Sequence, residues 1–239
     1  MVPHVWLRNL LLLLASSAAA AAPKNEPVER IREAARVFTE IQGAKDNAIP
    51  DAFLDKANGI IIVPGLKRAG FVVGGQYGKG VFVARLPSGR WSAPSTVRIE
   101  GGSFGLQIGA GETDLIMLAM NEEAVKQLMK TGVKIGADVM AAAGPLGREA
   151  SAATTPVPAS GLLAYSRARG ISAGATVNGS TLRSDDDDNA AIYGQKVDQS
   201  DILSGKVKST AAARPLLSVL QRYYRANPSS EQSPRKAPK

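Results

Sequence analysis

The stretch from Gly59 to Ala84 reads GIIIVPGLKRAGFVVGGQYGKGVFVA, and this pattern decides the fold class. Short runs of β-branched and aromatic residues alternate with glycine and proline, which predicts consecutive strands rather than helices. Residues 59–63 form one predicted strand, Pro64-Gly65 ends it, and residues 71–83 form the next. Glycines inside a strand mark bulges, bends or close backbone approach.

The strand pattern continues on the C-terminal side of this stretch. The predicted turn Pro87-Ser88-Gly89 pairs strands near 80–86 and 91–99 as a hairpin, and a slip at Gly101-Gly102 predicts a bulge. Asn178-Gly179 predicts a two-residue hairpin turn before Ser180. Further strands are predicted over residues 114–120, 133–142, 162–169, 171–177 and 180–182.

Helical periodicity appears at both ends of the strand region and once within it. Apolar residues recur at three- and four-residue steps from Pro27 to about Lys45, opposite a face of mixed charge. Shorter helices are predicted over residues 50–57, 121–129, 190–193 and 200–203, and a longer helix over residues 209–226, interrupted near Pro215. The strands follow one another too closely for βαβ crossovers. We therefore predict a single α+β domain over residues 27–226, with a twisted, mainly antiparallel sheet or partial barrel, flanking N- and C-terminal helices and one inserted helix.

The two ends of the chain differ from this domain. Residues 1–22 combine a short basic start, an apolar run and small residues, a pattern typical of a secretory signal peptide. An uncleaved N-terminal anchor is the alternative. Residues 227–239 are rich in proline, serine and lysine, and we expect a disordered basic tail. The protein is thus predicted to be exported, either periplasmic or secreted.

Composition restricts the chemistry. The chain has no cysteine, and its single histidine, His4, lies in the predicted signal peptide. The mature chain therefore lacks the groups needed for Ser-His-Asp or Cys-His catalysis and for the usual zinc sites, and we expect neither cofactor nor metal. Cleavage after the signal would leave 28 basic and 21 acidic residues, a formal charge of +7. Such a charge suits anionic lipids or acidic polymers, and export argues against nucleic acid.

Basic residues near the strands are the candidate anion-binding groups. Guanidinium and ammonium groups on adjacent loops and strands could bind phosphate oxygens, although scattered solvated charge explains them equally simply. Lys67 and Arg68 are placed in a turn over residues 64–70, and Arg167 and Arg169 share one face of a predicted strand. The full set of candidates is Lys67, Arg68, Lys79, Arg85, Arg90, Arg98, Arg167 and Arg169.

Acidic residues offer two weaker hypotheses. The run Asp185–Asp188 could bind calcium, but it lacks EF-hand spacing and a solvated turn before a helix is the simpler interpretation. Glu100, Glu112 and Asp114 could serve a carboxylate hydrolase, yet spacing alone gives no support for this.

Several segments, in this order, resemble the SYLF lipid-binding family. They include Lys67–Gly75, Trp91-Ser92-Ala93-Pro94, Gly101–Gly105, Tyr165–Gly170 and Asn189–Gly194. The resemblance covers roughly residues 30–225. It implies a compact domain without known catalysis; eukaryotic members bind phosphoinositides, and some yeast members bind actin filaments. What it implies for this chain is lipid or membrane association, in a form that looks bacterial and exported.

The sequence therefore predicts a non-catalytic protein of the bacterial envelope that binds lipid or a membrane surface, with anionic phospholipid as the candidate ligand. The alternative is a structural or protein-interaction module of the envelope without a lipid ligand. The identity of any protein partner stays open.

Overall fold

The computed structural model describes residues 26–44, 47–70, 73–104, 109–147, 161–168, 171–175 and 177–224. The predicted signal peptide, the predicted C-terminal tail and Arg169 lie outside these ranges, so those predictions stay predictions.

A single curled sheet forms the centre of the fold and closes into a half-barrel. Its strand order is β5-β9-β3-β2-β1-β4-β7-β6, and β8 pairs with β7 beside this path. Every pairing is antiparallel except that of β6 with β7. The strands are β1 Gly59–Gly70, β2 Val73–Ala84, β3 Ser95–Phe104, β4 Gly109–Ala119, β5 Val133–Lys134, β6 Ala141–Ala143, β7 Leu162–Ala168, β8 Ile171–Gly174 and β9 Ser180–Ser184.

Helices precede, interrupt and follow the sheet, which confirms the predicted α+β class. They are α1 Glu26–Gly43, α2 Asp51–Lys56, α3 Glu122–Leu128, α4 Asp186–Tyr193, α5 Gln199–Leu203 and α6 Arg214–Tyr223, with a 3₁₀ turn at Ala211–Ala213. Asn121 caps α3 by accepting a hydrogen bond from the Ala124 N–H at 2.7 Å. Pro215 lies in the first turn of α6 and begins that helix, whereas the sequence predicted an interruption there.

The side chains of the sheet alternate between its two faces, and both faces are buried. Ile60 and Ile62 belong to an apolar cluster with α1 and α6, whereas Ile61 and Val63 belong to a second cluster with α3 and the segment around β5. The amphipathic helix α1 buries Ile31, Val37, Phe38 and Ile41 against its own domain. This packing confirms the interpretation of that helix as part of the fold.

The sequence predicted that Pro64-Gly65 ends a strand, and this prediction is wrong. β1 runs through this dipeptide as a bulge, with its register against β2 shifting between Ile62 and Lys67. Gly65 has a φ of +60°, which only glycine adopts readily, and this accommodates the extra residue. Lys67 and Arg68 consequently lie in β1 and not in a turn.

The predicted bulge at Gly101-Gly102 is wrong, because β2 and β3 pair in unbroken register through both residues. Gly101 instead permits close approach of a neighbouring strand. A Cβ atom there would lie 2.6 Å from the carbonyl oxygen of Gly179 and 2.7 Å from the Cα of Ser180. A side chain at this position would therefore push β9 away from β3.

Two further predictions are only partly correct. The turn at Asn178-Gly179 exists, with the Ser180 N–H donating to Val177 O at 3.3 Å, but it does not join a hairpin. The strand before it, β8, pairs with β7, while the strand after it, β9, pairs with β3 and β5. The single strand predicted over residues 133–142 is two short strands, β5 and β6.

Candidate functional site

Two of the motifs that carry the family resemblance meet in the structure. Asn189, which is fully buried in α4, accepts hydrogen bonds from the backbone N–H and the hydroxyl of Thr96 at 2.8 and 2.9 Å. The hydroxyl of Tyr193 donates to Pro94 O at 2.6 Å. These contacts fix α4 to the start of β3, so the motif residues serve the fold here rather than a ligand.

The acidic run Asp185–Asp188 is an internal ion-pair site. Lys79 Nζ lies 2.8 Å from Asp185 Oδ2 and 3.1 Å from Asp188 Oδ2, and Arg30 Nη1 lies 2.6 Å from the same Asp188 oxygen. Asp185, with only 3% of its surface exposed, also caps α4. The run begins a helix as expected, and Asp186 and Asp187 are exposed to solvent. The carboxylates of Asp185 and Asp188, in contrast, hold α1, α4 and β2 together.

The ionisation of this site follows from its contacts. Contact with Asp185 raises the pKa of Lys79, and this effect outweighs burial. Burial alone would raise the pKa of Asp185, but the neighbouring ammonium of Lys79 and the backbone N–H of Asp188 lower it overall. Both groups are therefore charged at neutral pH. Lys79 is not available for an external anion.

Arg167 is likewise paired inside the molecule. Its guanidinium forms an ion pair with Glu40 of α1 and lies 3.5 Å from Asp114 of β4. Asp114 also accepts a hydrogen bond from the Gly65 N–H at 3.0 Å, and Glu100 pairs with Arg183 at 2.8 Å. Two of the three carboxylates considered for hydrolysis thus hold structural contacts.

Arg85 is held between two aromatic rings. Its guanidinium lies 4.1 Å from the ring centre of Trp91 and 3.4 Å from that of Tyr224. Nε donates to Ala57 O at 3.0 Å and Nη2 to Leu54 O at 3.3 Å, at the end of α2. Burial lowers the pKa of Arg85.

The other predicted cations are spread over the surface. Lys67 is exposed and Arg68 half-buried near the far end of β1, where burial lowers the pKa of Arg68. Arg98 stands between Lys79 and Arg183 on adjacent strands, beside the buried acid of Asp185. The structure therefore does not gather the seven predicted residues that it describes into one site.

Arg90 belongs to a different group of basic residues, which the sequence analysis did not identify. A groove of about 880 Å³ separates the β2–β3 connection from the segment that leads into α6. Four exposed cations line this groove: Arg90, Lys208, Arg214 and Arg222. None of them forms an ion pair with a residue that the structure describes, and no Asp or Glu of the described ranges lines the groove. We call these four residues and the space between them the cationic groove.

Hydroxyl and indole groups complete the lining of the cationic groove. Ser209, Thr210 and Ser218 contribute hydroxyls, and Trp91 contributes its indole. The arrangement offers positive charge and hydrogen-bond donors at one place, which suits a multiply charged oxyanion. A sequence signal existed for one wall: residues 214, 217, 218, 221 and 222 recur at helical spacing on one face of α6.

The described residues contain neither a metal cluster nor a bilayer-crossing helix. Across the ranges given above, no group of three or more Asp, Glu, His or Cys residues could hold a metal ion. Within the same ranges, no helix is both long and apolar enough to cross a membrane.

Comparisons with known proteins agree with the motifs. The family model Ysc84, described as "Las17-binding protein actin regulator", matches residues 100–223. Protein YSC84 of Saccharomyces cerevisiae is 38% identical over 82% of this chain and 45% of its own length. LAS seventeen-binding protein 3 of the same species is 35% identical over 86% of this chain and 48% of its own. SH3 domain-containing YSC84-like protein 1 of Homo sapiens is 35% identical over 79% and 56%, respectively.

This chain spans about half the length of the curated relatives that it matches. The motifs, the family model and the identity over most of the chain agree. The chain therefore belongs to the Ysc84 family, the SYLF family that its motifs resemble.

Proposed function

We propose that this protein is a non-catalytic module of the bacterial envelope that binds anionic lipid surfaces through the cationic groove. The observation that carries the proposal is the set of four exposed cations without ion-pair partners among the described residues, gathered around one groove that no carboxylate lines. Positive charge held together in this way attracts a negatively charged surface.

The contrast with the other basic residues supports this choice of surface. Lys79 and Arg167 already have carboxylate partners, and Arg85 lies between two aromatic rings. Binding a lipid through them would require breaking those contacts. The residues of the cationic groove carry no such cost, since their charges face solvent.

The electrostatic contribution can be estimated. Each basic residue near an anionic bilayer contributes about 1 kcal/mol, so four contribute about 4 kcal/mol at most. That free energy corresponds to an affinity difference of roughly a thousandfold. The contribution falls with rising salt, because exposed charges are screened.

Co-sedimentation with vesicles tests the proposal. The full chain is mixed with phosphatidylcholine vesicles and with vesicles containing phosphatidylglycerol, at low and high salt. We expect binding to the anionic vesicles, weakened by salt. Changing Arg90, Lys208, Arg214 and Arg222 together to Gln should weaken this binding by about a hundredfold or more.

A charge-matched control separates the groove from total charge. Lys126, Lys130, Lys134 and Lys196 are exposed and lie outside the groove, and changing all four to Gln removes the same charge. We expect this control variant to lose far less affinity than the groove variant. Equal losses in the two variants would contradict a defined site, and no binding to either vesicle would contradict lipid binding altogether.

We also propose that the protein is exported, on the basis of the signal-like pattern of residues 1–22. Intact mass measurement of the protein recovered from a bacterial host would test this proposal. A mature N-terminus after Ala20, Ala21 or Ala22 in the periplasm or medium is expected. An intact N-terminus in the cytoplasm would contradict it.

A protein-binding function is the second candidate, and the names of the relatives favour it. The matching family is described as a Las17-binding actin regulator, and one yeast relative is named LAS seventeen-binding protein 3. A reproducible protein partner captured by the full chain, together with no vesicle binding, would favour this candidate over the lipid proposal.

A further inference from the structure

We infer that the floor of the cationic groove is a specific site for a phosphomonoester, built from Trp91 and Thr210 beneath the basic rim. The inference rests on the proposed function, because it names the chemistry of the group that the same groove would bind. It goes further by assigning hydrogen-bond donors that distinguish one anion from another.

The observation behind it is a pair of donors that lack acceptors. Trp91 Nε1 and Thr210 Oγ1 are both covered, and neither has a hydrogen-bond partner among the described residues. Trp91 is only 7% exposed, and both side chains line the cationic groove. Buried donors are nearly always paired, so two orphaned donors at one place indicate a missing acceptor.

The neighbourhood specifies the charge of that acceptor. Four cations without ion-pair partners among the described residues line the same groove as the two donors, so a neutral acceptor would leave the positive charge uncompensated. A phosphomonoester carries close to two negative charges at neutral pH and offers three strong acceptor oxygens. It can therefore accept from the indole N–H and the hydroxyl while its remaining oxygen faces the rim. A phosphodiester has one charge and fewer free oxygens.

The indole side of the site is held in place. Arg85 stacks on Trp91 and donates to Ala57 O and Leu54 O, which fixes the indole ring. Both donor atoms are closed to solvent in this conformation, so an incoming oxygen must displace neighbouring side chains of the groove to reach them.

The indole N–H resonance of Trp91 provides a direct test. The chain has two tryptophans, Trp6 and Trp91, so a full-length Trp6→Phe variant gives a single indole signal in a ¹⁵N-correlated NMR spectrum. Glycerol 3-phosphate is titrated at constant ionic strength, with dimethyl phosphate and acetate as comparison anions. We expect a saturable downfield shift with glycerol 3-phosphate and at least tenfold weaker binding of the other two.

A substitution in the floor separates hydrogen bonding from charge. Thr210→Val keeps the shape and removes the hydroxyl, and it should weaken glycerol 3-phosphate binding about tenfold or more. Lys196→Gln, outside the groove, should leave the binding unchanged. No saturable shift, or the same shift with acetate, would overturn the inference. Unchanged binding in Thr210→Val would also overturn it.

Vesicles distinguish a lipid headgroup from a free phosphate. Phosphatidic acid presents a phosphomonoester, whereas phosphatidylglycerol at equal surface charge presents a phosphodiester. Competition between phosphatidic acid vesicles and glycerol 3-phosphate would identify the headgroup as the source. Soluble binding without vesicle binding would support the site and contradict the proposed lipid function. Vesicle binding without any indole shift would support the proposed lipid function and contradict the phosphomonoester site.

Discussion

The ion pairs of Lys79 lead to a quantitative prediction, since they decide whether a sequence-predicted cation serves binding or folding. Lys79 reaches Asp185 at 2.8 Å and Asp188 at 3.1 Å, and the Asp185 side chain is only 4% exposed. Lys79→Met would leave the buried carboxylate of Asp185 without its cation. Breaking a buried ion pair from one side costs about 3–5 kcal/mol.

The Lys79 side chain is 32% exposed, so water would replace part of the lost interaction. We therefore expect the free energy of unfolding to fall by about 2 kcal/mol, below the range for a fully buried pair. For a domain of this size that corresponds to a decrease in Tm of about 4–8 °C. Urea unfolding followed by circular dichroism at pH 7 measures the change. Lys126→Met, which removes an exposed pair at 3.9 Å, should cost less than about 0.5 kcal/mol.

The stabilisation that the Lys79–Asp185 ion pair contributes depends on pH. Because the pKa of Asp185 is lowered in the folded state, its stabilisation is present above the ordinary value of 3.8 and is lost as the pH falls through the lowered value. The raised pKa of Lys79 makes its contribution present below 10.5 and lost only as the pH rises through the raised value. The difference between wild type and Lys79→Met should therefore shrink below about pH 4.

A double-mutant cycle checks the cause. Asp185→Asn removes the uncompensated charge, so Lys79→Met should cost less in that background, with a coupling of about 1 kcal/mol or more. Strict additivity, or a Lys79→Met variant as stable as wild type, would refute the reasoning. Lys79→Met should keep the wild-type affinity for anionic vesicles within about twofold, because the ammonium of Lys79 is bound internally in the wild type. A large loss of vesicle affinity in Lys79→Met would show that Lys79 takes part in lipid binding.

Two further predictions concern the packing of the fold. Gly101→Ala should lower the free energy of unfolding by about 1–3 kcal/mol in urea denaturation, because its Cβ would meet the backbone of Gly179 and Ser180 at 2.6–2.7 Å. Gly111→Ala is the matched control in a neighbouring part of the sheet, with open space within 4 Å, and an equal cost there would contradict the close-approach argument. Asn189→Ala should cost about 1–3 kcal/mol by the same assay, since it leaves the buried Thr96 N–H without its acceptor, while the Thr96 hydroxyl keeps Asp185 O as its acceptor. A thermal midpoint unchanged by Asn189→Ala would show that α4 does not depend on this contact.

Local sequence patterns accounted for the elements and for the class of fold. β-branched runs, glycine and proline punctuation and helical periodicity predicted the strands of the sheet, the long first helix and the inserted helix at the expected places. These signals succeed because propensity, turn chemistry and apolar alternation act over a few residues. The same signals failed at Gly101-Gly102 and Pro64-Gly65. There, glycine serves a close approach in one case and a bulge in the other, and only the neighbouring strand distinguishes the two uses.

The candidate site was only partly visible in the sequence. Charge type was evident, but the role of each cation depended on partners distant in the chain: Asp185 for Lys79 and Glu40 for Arg167. Arg90 was identified, whereas Lys208, Arg214 and Arg222 were not, because they lie more than a hundred residues from Arg90 along the chain. Their proximity arises when α6 packs against α1 and the β2–β3 connection closes over the same region.

By itself, the sequence determined an α+β domain of the Ysc84 family and a set of basic residues without imidazole or thiol chemistry in the predicted mature chain. The tertiary structure alone decided which of those charges are neutralised and which face solvent together. The physical reason is that charges interact through space over a few ångströms, while the residues that bring them together can lie anywhere along the chain.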